Sequence, residues 1–126
     1  MNKGVYIFIG QSGAGKGTQA ELLQEKIKKL DPEGKTFRLE TGVAFRELIS
    51  QDNFVAKRTK QMIEDGKLPP SFLGVHAWSH LLINSYQGDQ HVFIDGTPRI
   101  KDEVPALLSA FEFLDWNPHI INIEVS

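Results

Sequence analysis

Apolar and polar positions along this chain fall into blocks of two different periods. Residues 5–9, VYIFI, are apolar without interruption and rich in β-branched and aromatic side chains. Bounded by Gly4 and Gly10, they predict a strand buried on both faces. The period then lengthens. Ala20, Leu23, Ile27 and Leu30 recur every three to four residues, which predicts a helix over 15–30. DPEG (31–34) is a turn signal, and TFRLE (36–40) alternates apolar with polar as a short strand does. Three helical stretches follow. Residues 43–51 place Phe45, Leu48 and Ile49 on one face; 53–64 carry Phe54, Val55, Met62 and Ile63; 71–85 carry Phe72, Val75, Trp78 and Leu82. GKLPP (66–70) separates the last two. HVFID (91–95) is a second buried strand, 101–114 is helical, DWNP (115–118) turns, and HIINIEV (119–125) is a fourth strand.

Buried strands alternating with helices predict an α/β fold with a parallel sheet and right-handed crossovers. Three helices between the second and third strands exceed what a crossover needs. The excess, residues 42–86, reads as a helical binding insertion within one domain spanning 1–126. The length of 126 residues agrees with a single domain. The net charge of −2 offers no broad attraction to nucleic acid or to acidic membranes. There are no cysteines, which excludes disulfides, thiolate catalysis and cysteine-bound metals. No signal peptide or membrane span is legible, so a cytoplasmic location is expected.

The chemistry begins at residues 10–19, GQSGAGKGTQ. The phosphate-loop pattern G-x-x-x-x-G-K-[ST] is met by Gly10, Gly15 and Lys16, but Gly17 stands where the hydroxyl belongs and Thr18 comes one residue late. The loop joins a predicted buried strand to a predicted helix, the context such a loop requires. Glycines let backbone N–H groups approach phosphate oxygens, and the helix N-terminus adds positive dipole. Lys16 supplies a mobile cation. Thr18, still in the first helical turn, keeps a hydroxyl near the phosphates.

The string G-x-x-G-x-G-K-G-T-Q resembles the loop of adenylate kinases and related nucleoside monophosphate kinases. TGVAFR (41–46) is similar to that family's Thr-Gly-Asp-x-x-Arg, MIEDGKLPPSFL (62–73) to its Gly-x-Leu stretch, and DGTPR (95–99) to its Asp-Gly-Phe-Pro-Arg. The resemblance implies a P-loop NTPase-type sheet of four strands here, in the order 2-3-1-4, flanked by helices with a monophosphate-binding insertion. It implies ATP bound by Gly10, Ser12, Gly13, Ala14, Gly15, Lys16, Gly17 and Thr18. It implies a nucleoside monophosphate, AMP by family, held by Thr41, Gly42, Arg46, Leu68, Gly96, Arg99 and Glu103. Mg²⁺ would accompany ATP, with Thr18 and Asp95 as its partners. Lys16, Arg46 and Arg99 would carry the transfer, and the Thr97–Pro98 peptide would be cis.

Several of these positions also have plain readings. Asp95 ends a buried strand where ligands bind in open α/β sheets, but aspartates there also cap helices and turns. Arg99 presents a fork suited to phosphate, or a solvated surface charge. Arg46 on its own is a solvent-facing helical residue. His76 and His80, spaced i, i+4, read as a wet helix face or core packing in preference to a metal pair. Trp78 reads as helix core.

The departures from the family pattern carry expectations of their own. Val43 replaces an aspartate that organises metal waters. Thr97 replaces an aromatic, which predicts looser packing beside the acceptor. Glu103 stands where adenylate kinases place a glutamine that reads adenine. An ionised carboxylate only accepts hydrogen bonds, which suits guanine N1–H and N2–H better than adenine; alternatively Glu103 points to solvent. The resembling family also continues past the fourth strand with a lid, further arginines, a fifth strand and a final helix, whereas this chain reaches Ser126 where that portion begins. The expectation is a nucleotide-binding core with weak or no phosphotransfer, an exposed fourth strand, and a monomer if the chain were complete. Two rivals stand beside it: a non-catalytic nucleotide-binding module, and another phosphate-loop kinase acting on a small metabolite.

Overall fold

The computed structural model describes residues 3–10 and 15–123, with Lys16 described by its backbone alone. Four parallel strands form one sheet in the order β2-β3-β1-β4. They are β1 (Val5–Ile9), β2 (Lys35–Glu40), β3 (Gln90–Asp95) and β4 (His119–Asn122). Helix α1 (Lys16–Leu30) connects β1 to β2. Helices α2 (Thr41–Ile49), α3 (Phe54–Glu64) and α4 (Ser71–Ser85) lie between β2 and β3. A short 3-10 helix (Lys101–Glu103) and α5 (Val104–Phe113) precede β4. The expected strand order and parallel α/β architecture are what is found.

Strand alternation sends side chains to two cores. Val5, Ile7, Phe37, Leu39, Val92 and Ile94 face one way and pack with residues of α2, α4 and α5. Phe8 and Phe93 face the other way, onto Ala20 and Ile27 of α1. β3 lies between β2 and β1 and is buried along its whole length. Each large apolar side chain sealed there contributes about 1.5–3 kcal/mol.

The details differ from the sequence reading where apolar residues were abundant or scarce. α4 packs through Leu73, Ala77, Trp78, Leu81 and Leu82, while Phe72 is exposed and Val75 only half-buried. The i, i+4 row of Leu73, Ala77 and Leu81 runs straight along the helix and sets its inward face. α3 turns Ala56 and Thr59 inward and leaves Phe54, Val55 and Ile63 exposed. Its register is fixed by a cap: Asn53 Oδ1 accepts from Ala56 N–H at 2.7 Å, worth about 1 kcal/mol. Ile9, expected inside, is exposed at the end of β1, and Leu30 is exposed at the end of α1. Among the described residues β4 pairs only with β1, and it is mostly exposed.

Candidate functional site

Helix α1 starts past the carboxyl end of β1, and the carboxyl ends of β2 and β3 lie in register alongside that end in the parallel sheet. Gly15 caps α1 at φ 89°, in the left-handed region that glycine enters without strain. No acidic residue lies in the first turn of α1, so the positive end of its dipole is not neutralised locally. Thr18 is exposed on that turn. A Cβ added to Gly17 would meet nothing within 4 Å among the described residues. Ser12, Gly13, Ala14 and the Lys16 side chain lie outside the described residues.

Asp95 sits at the end of β3, with Phe8 of β1 and Glu40 of β2 as its register partners. It is buried, and its charge is met by a residue the sequence reading did not single out: Arg38 Nη2 donates to Asp95 Oδ2 at 3.3 Å. Arg38 Nε also stands 3.4 Å from Glu40 Oε2. The alternation in TFRLE already put Arg38 and Glu40 on one face. Only the pairing register with β3 shows that Asp95 shares it. Magnesium prefers hard oxygen donors, and Thr18 hydroxyl and Asp95 carboxylate are of that kind. The residues present therefore fit the ion in chemistry, with Arg38 already engaging one carboxylate oxygen.

Beside this cluster the ends of β2 and β3 are pinned together. The Thr41 hydroxyl donates to the Gly96 carbonyl, and its oxygen lies 2.6 Å from the Thr97 hydroxyl. Both threonines are buried. Thr41, expected to face a base or ribose, spends its hydroxyl on this pin. It also begins α2 two residues earlier than the apolar pattern suggested. Thr97, expected to loosen the packing, is buried and makes a polar contact there. Gly96 adopts φ 72°, and the Thr97–Pro98 peptide is cis.

The turn that follows delivers Arg99 to a cavity of about 410 Å³ shared with α2 and the 66–70 segment. Gly42, Arg46, Leu68 and Arg99, all expected at the acceptor, line it together. Phe45, Ile63 and Lys67 also line it and were not anticipated as site residues. Phe45 has a clear role: the Arg99 guanidinium lies 5.2 Å from its ring centroid, a cation–π contact that orients the fork. Lys67 adds a third cation to the rim.

Glu103 is neither in solvent nor on that cavity. It is 2% exposed, wedged between the 3-10 helix and α4. Ile100 N–H donates to its Oε2 at 3.3 Å, while Oε1 is buried without a hydrogen-bond partner among the described residues. His76 and His80 stack on each other at 5.7 Å on an exposed helix face. No group of three or more potential metal ligands occurs among the described residues. Trp78 is core, as read. Also among the described residues, no helix is long and apolar enough to cross a membrane.

Residues 9–126 match the family model described as AAA domain. The adenylate kinase of Borrelia turicatae is 31% identical over 101 residues, covering 80% of this chain and 44% of that protein. That of Bartonella bacilliformis is 34% identical over 103 residues, with 80% and 48% covered. That of Staphylococcus aureus is 32% identical over 120 residues, with 94% and 52% covered. The chain spans about half the length of the curated relatives it matches.

Proposed function

The chain belongs to the AAA domain family and is adenylate kinase-like, and from that premise we propose that it is the nucleotide-binding core of a nucleoside monophosphate kinase. The reaction is transfer of the γ-phosphoryl of ATP to the phosphate of a monophosphate. The observation that carries the reading is the cavity shared by Arg46 and Arg99. These cations come from separate segments and line one cavity. A phosphate-loop module that only senses ATP has no use for a second anion site.

Phosphoryl transfer needs positioning and charge neutralisation more than covalent catalysis. The N–H groups at the start of α1 would receive donor phosphate oxygens. Arg46 and Arg99 would hold the acceptor phosphate, each through paired N–H donors. Phe45 keeps the Arg99 fork from wandering. The Thr41–Gly96 pin fixes the spacing between the donor and acceptor halves. Leu68 and Ile63 supply an apolar wall. Magnesium, when bound with ATP, would neutralise donor charge, and Thr18 and Asp95 are the residues to hold it. The curated relatives' name points to AMP as acceptor; Glu103, buried against α4 and off the cavity, bears on that choice only where a base comes to reach it.

A coupled assay with ATP and a monophosphate, run beside Lys16→Ala, tests the reading together with monophosphate binding by calorimetry. Transfer lost in Lys16→Ala supports it. So does monophosphate binding that Arg46→Ala and Arg99→Ala abolish, even where turnover is slow. ATP binding with no monophosphate binding is the behaviour of a sensor module and overturns it. Phosphorylation of a small metabolite in place of any monophosphate points to the other kinase class.

A further inference from the structure

We propose that Arg38 is an internal counter-ion that competes with a divalent metal for Asp95, holding the carboxylate until a metal–nucleotide arrives and then moving onto Glu40. The inference rests on the nucleotide-kinase reading above and adds a positioning residue to it.

A carboxylate as buried as Asp95, at 8% exposure, needs a cation or several donors. Arg38 supplies one bond, from Nη2 at 3.3 Å. Its Nε approaches Glu40 Oε2 at 3.4 Å, yet Nε is a buried donor with no hydrogen-bond partner among the described residues. Charge-assisted N–H···O bonds settle at about 2.7–2.9 Å when the geometry allows. The guanidinium therefore bridges two carboxylates and is seated well on neither. One guanidinium thus has two carboxylate partners within reach.

The second position is close at hand. Glu40 is the register neighbour of Asp95 across β2 and β3. Arg38 lies two residues before it, on the same strand face. Rotation of the Arg38 side chain is enough to exchange partners, with no change in the sheet. A divalent cation and a guanidinium repel each other at a single carboxylate, so each weakens the other's hold on it. Glu40 also immediately precedes Thr41, whose hydroxyl pins β2 to β3 at the start of α2. The exchange thus takes place one residue from the element that carries Arg46.

The test is binding of Mn²⁺, a paramagnetic stand-in for Mg²⁺, followed by electron paramagnetic resonance. It is run with adenylyl imidodiphosphate present, on the wild-type chain, Arg38→Met and Glu40→Gln. Arg38→Met should bind Mn²⁺ about three- to tenfold more tightly, the effect of removing one competing partly exposed ion pair. Glu40→Gln should bind it more weakly, by about twofold or more, because Arg38 loses its second seat and stays on Asp95. Opposite signs from neighbouring residues distinguish competition from a merely structural role. Analogue affinity in EDTA, with circular dichroism, reports whether each variant still folds and binds. If all three bind the analogue alike and Mn²⁺ affinity does not change, the competition is overturned while the kinase reading stands. If the wild type binds no analogue at all, the kinase reading falls and this inference falls with it.

Discussion

Gly74 lies directly against Glu103. A Cβ at Gly74 would stand 2.8 Å from both the carboxyl carbon and Oε1, well inside contact distance. α4 can cross the 3-10 helix this closely only because residue 74 has no side chain. Gly74→Ala should therefore gain the helix propensity of alanine, about 1 kcal/mol, and lose more to overpacking, about 1–3 kcal/mol. In a Glu103→Ala background the overpacking disappears and the same change should stabilise. A double-mutant cycle by urea unfolding reads the difference, expected at about 1–3 kcal/mol. Additive effects would show that the two residues do not press on each other.

At the opposite end of the sheet His91 is a relay between chain segments. Gly4 N–H donates to its Nδ1 at 3.1 Å, so the ring proton sits on Nε2, which faces Asp31 Oδ2 at 2.9 Å. Lys3 reaches the same oxygen at 3.0 Å. The His91 N–H, with Lys3 second, holds the Asp31 carboxyl below its ordinary value. A depressed carboxyl contributes stability that is complete above its unfolded value and is lost as pH falls through the folded one. Stability should thus decline below about pH 4, and part of that slope should vanish in Asp31→Asn. The variant should also be less stable than wild type at pH 7, with the two converging in acid. Urea midpoints from pH 7 to pH 3 check this; parallel curves for the two proteins would exclude the linkage.

The Arg99–Phe45 contact separates charge from shape at the cavity proposed to hold the acceptor. Lysine at 99 keeps a cation for the ring but loses the planar fork. Arg99→Lys should weaken monophosphate binding by about tenfold, and Arg99→Ala by about a hundredfold, from hydrogen bonds to a charged group worth about 1.5–3 kcal/mol. ATP-analogue affinity should not move in either. Phe45→Leu keeps the core filled and should cost less than Arg99→Lys. Calorimetry with each nucleotide in turn decides. Equal losses for ATP analogue and monophosphate would remove Arg99 from the acceptor side.

How much of this could be read from the chain depends on how local each feature is. VYIFI and HVFID declared themselves as buried strands because no polar residue interrupts them. GQSGAGKGTQ, TGVAFR and DGTPR pointed to a candidate site because turn, helix start and anion chemistry are written in consecutive residues. Arg46, Arg99, Gly42 and Leu68 do meet at one cavity. What was illegible depends on register between distant segments. Arg38 meets Asp95, and Asp31 meets His91, across intervals of 57 and 60 residues. No local pattern encodes either pairing. α4 carries apolar residues on most of its circumference, so periodicity could not choose its inward face. α3 packs through an alanine and a threonine, which a search for large apolar residues passes over. Glu103 was read as base-facing or solvent-facing, because its spacing from Arg99 says nothing of the glycine on α4 that receives it.

The buried carboxylate also bears on which base the acceptor carries. Oε1 of Glu103 is a buried acceptor with no hydrogen-bond partner among the described residues, which costs about 1–3 kcal/mol while it stays unmet. Glu103 does not line the cavity of Arg46 and Arg99, so a part for it in base choice requires α4 to shift against the 3-10 helix. That shift is favoured by a ligand presenting donors, and guanine offers N1–H and N2–H where adenine N1 offers only a lone pair. GMP should therefore be bound at least as well as AMP by the wild-type chain. Glu103→Gln restores both a donor and an acceptor, and should move the preference toward AMP by about tenfold, the worth of one matched hydrogen bond. The same change should raise stability slightly, because a neutral amide is cheaper to bury than a carboxylate. Affinities for AMP, GMP, CMP and UMP, measured for both proteins, provide the test. A wild-type chain that strongly prefers AMP, with a panel unchanged in Glu103→Gln, would make Glu103 a packing residue with no part in choosing the base.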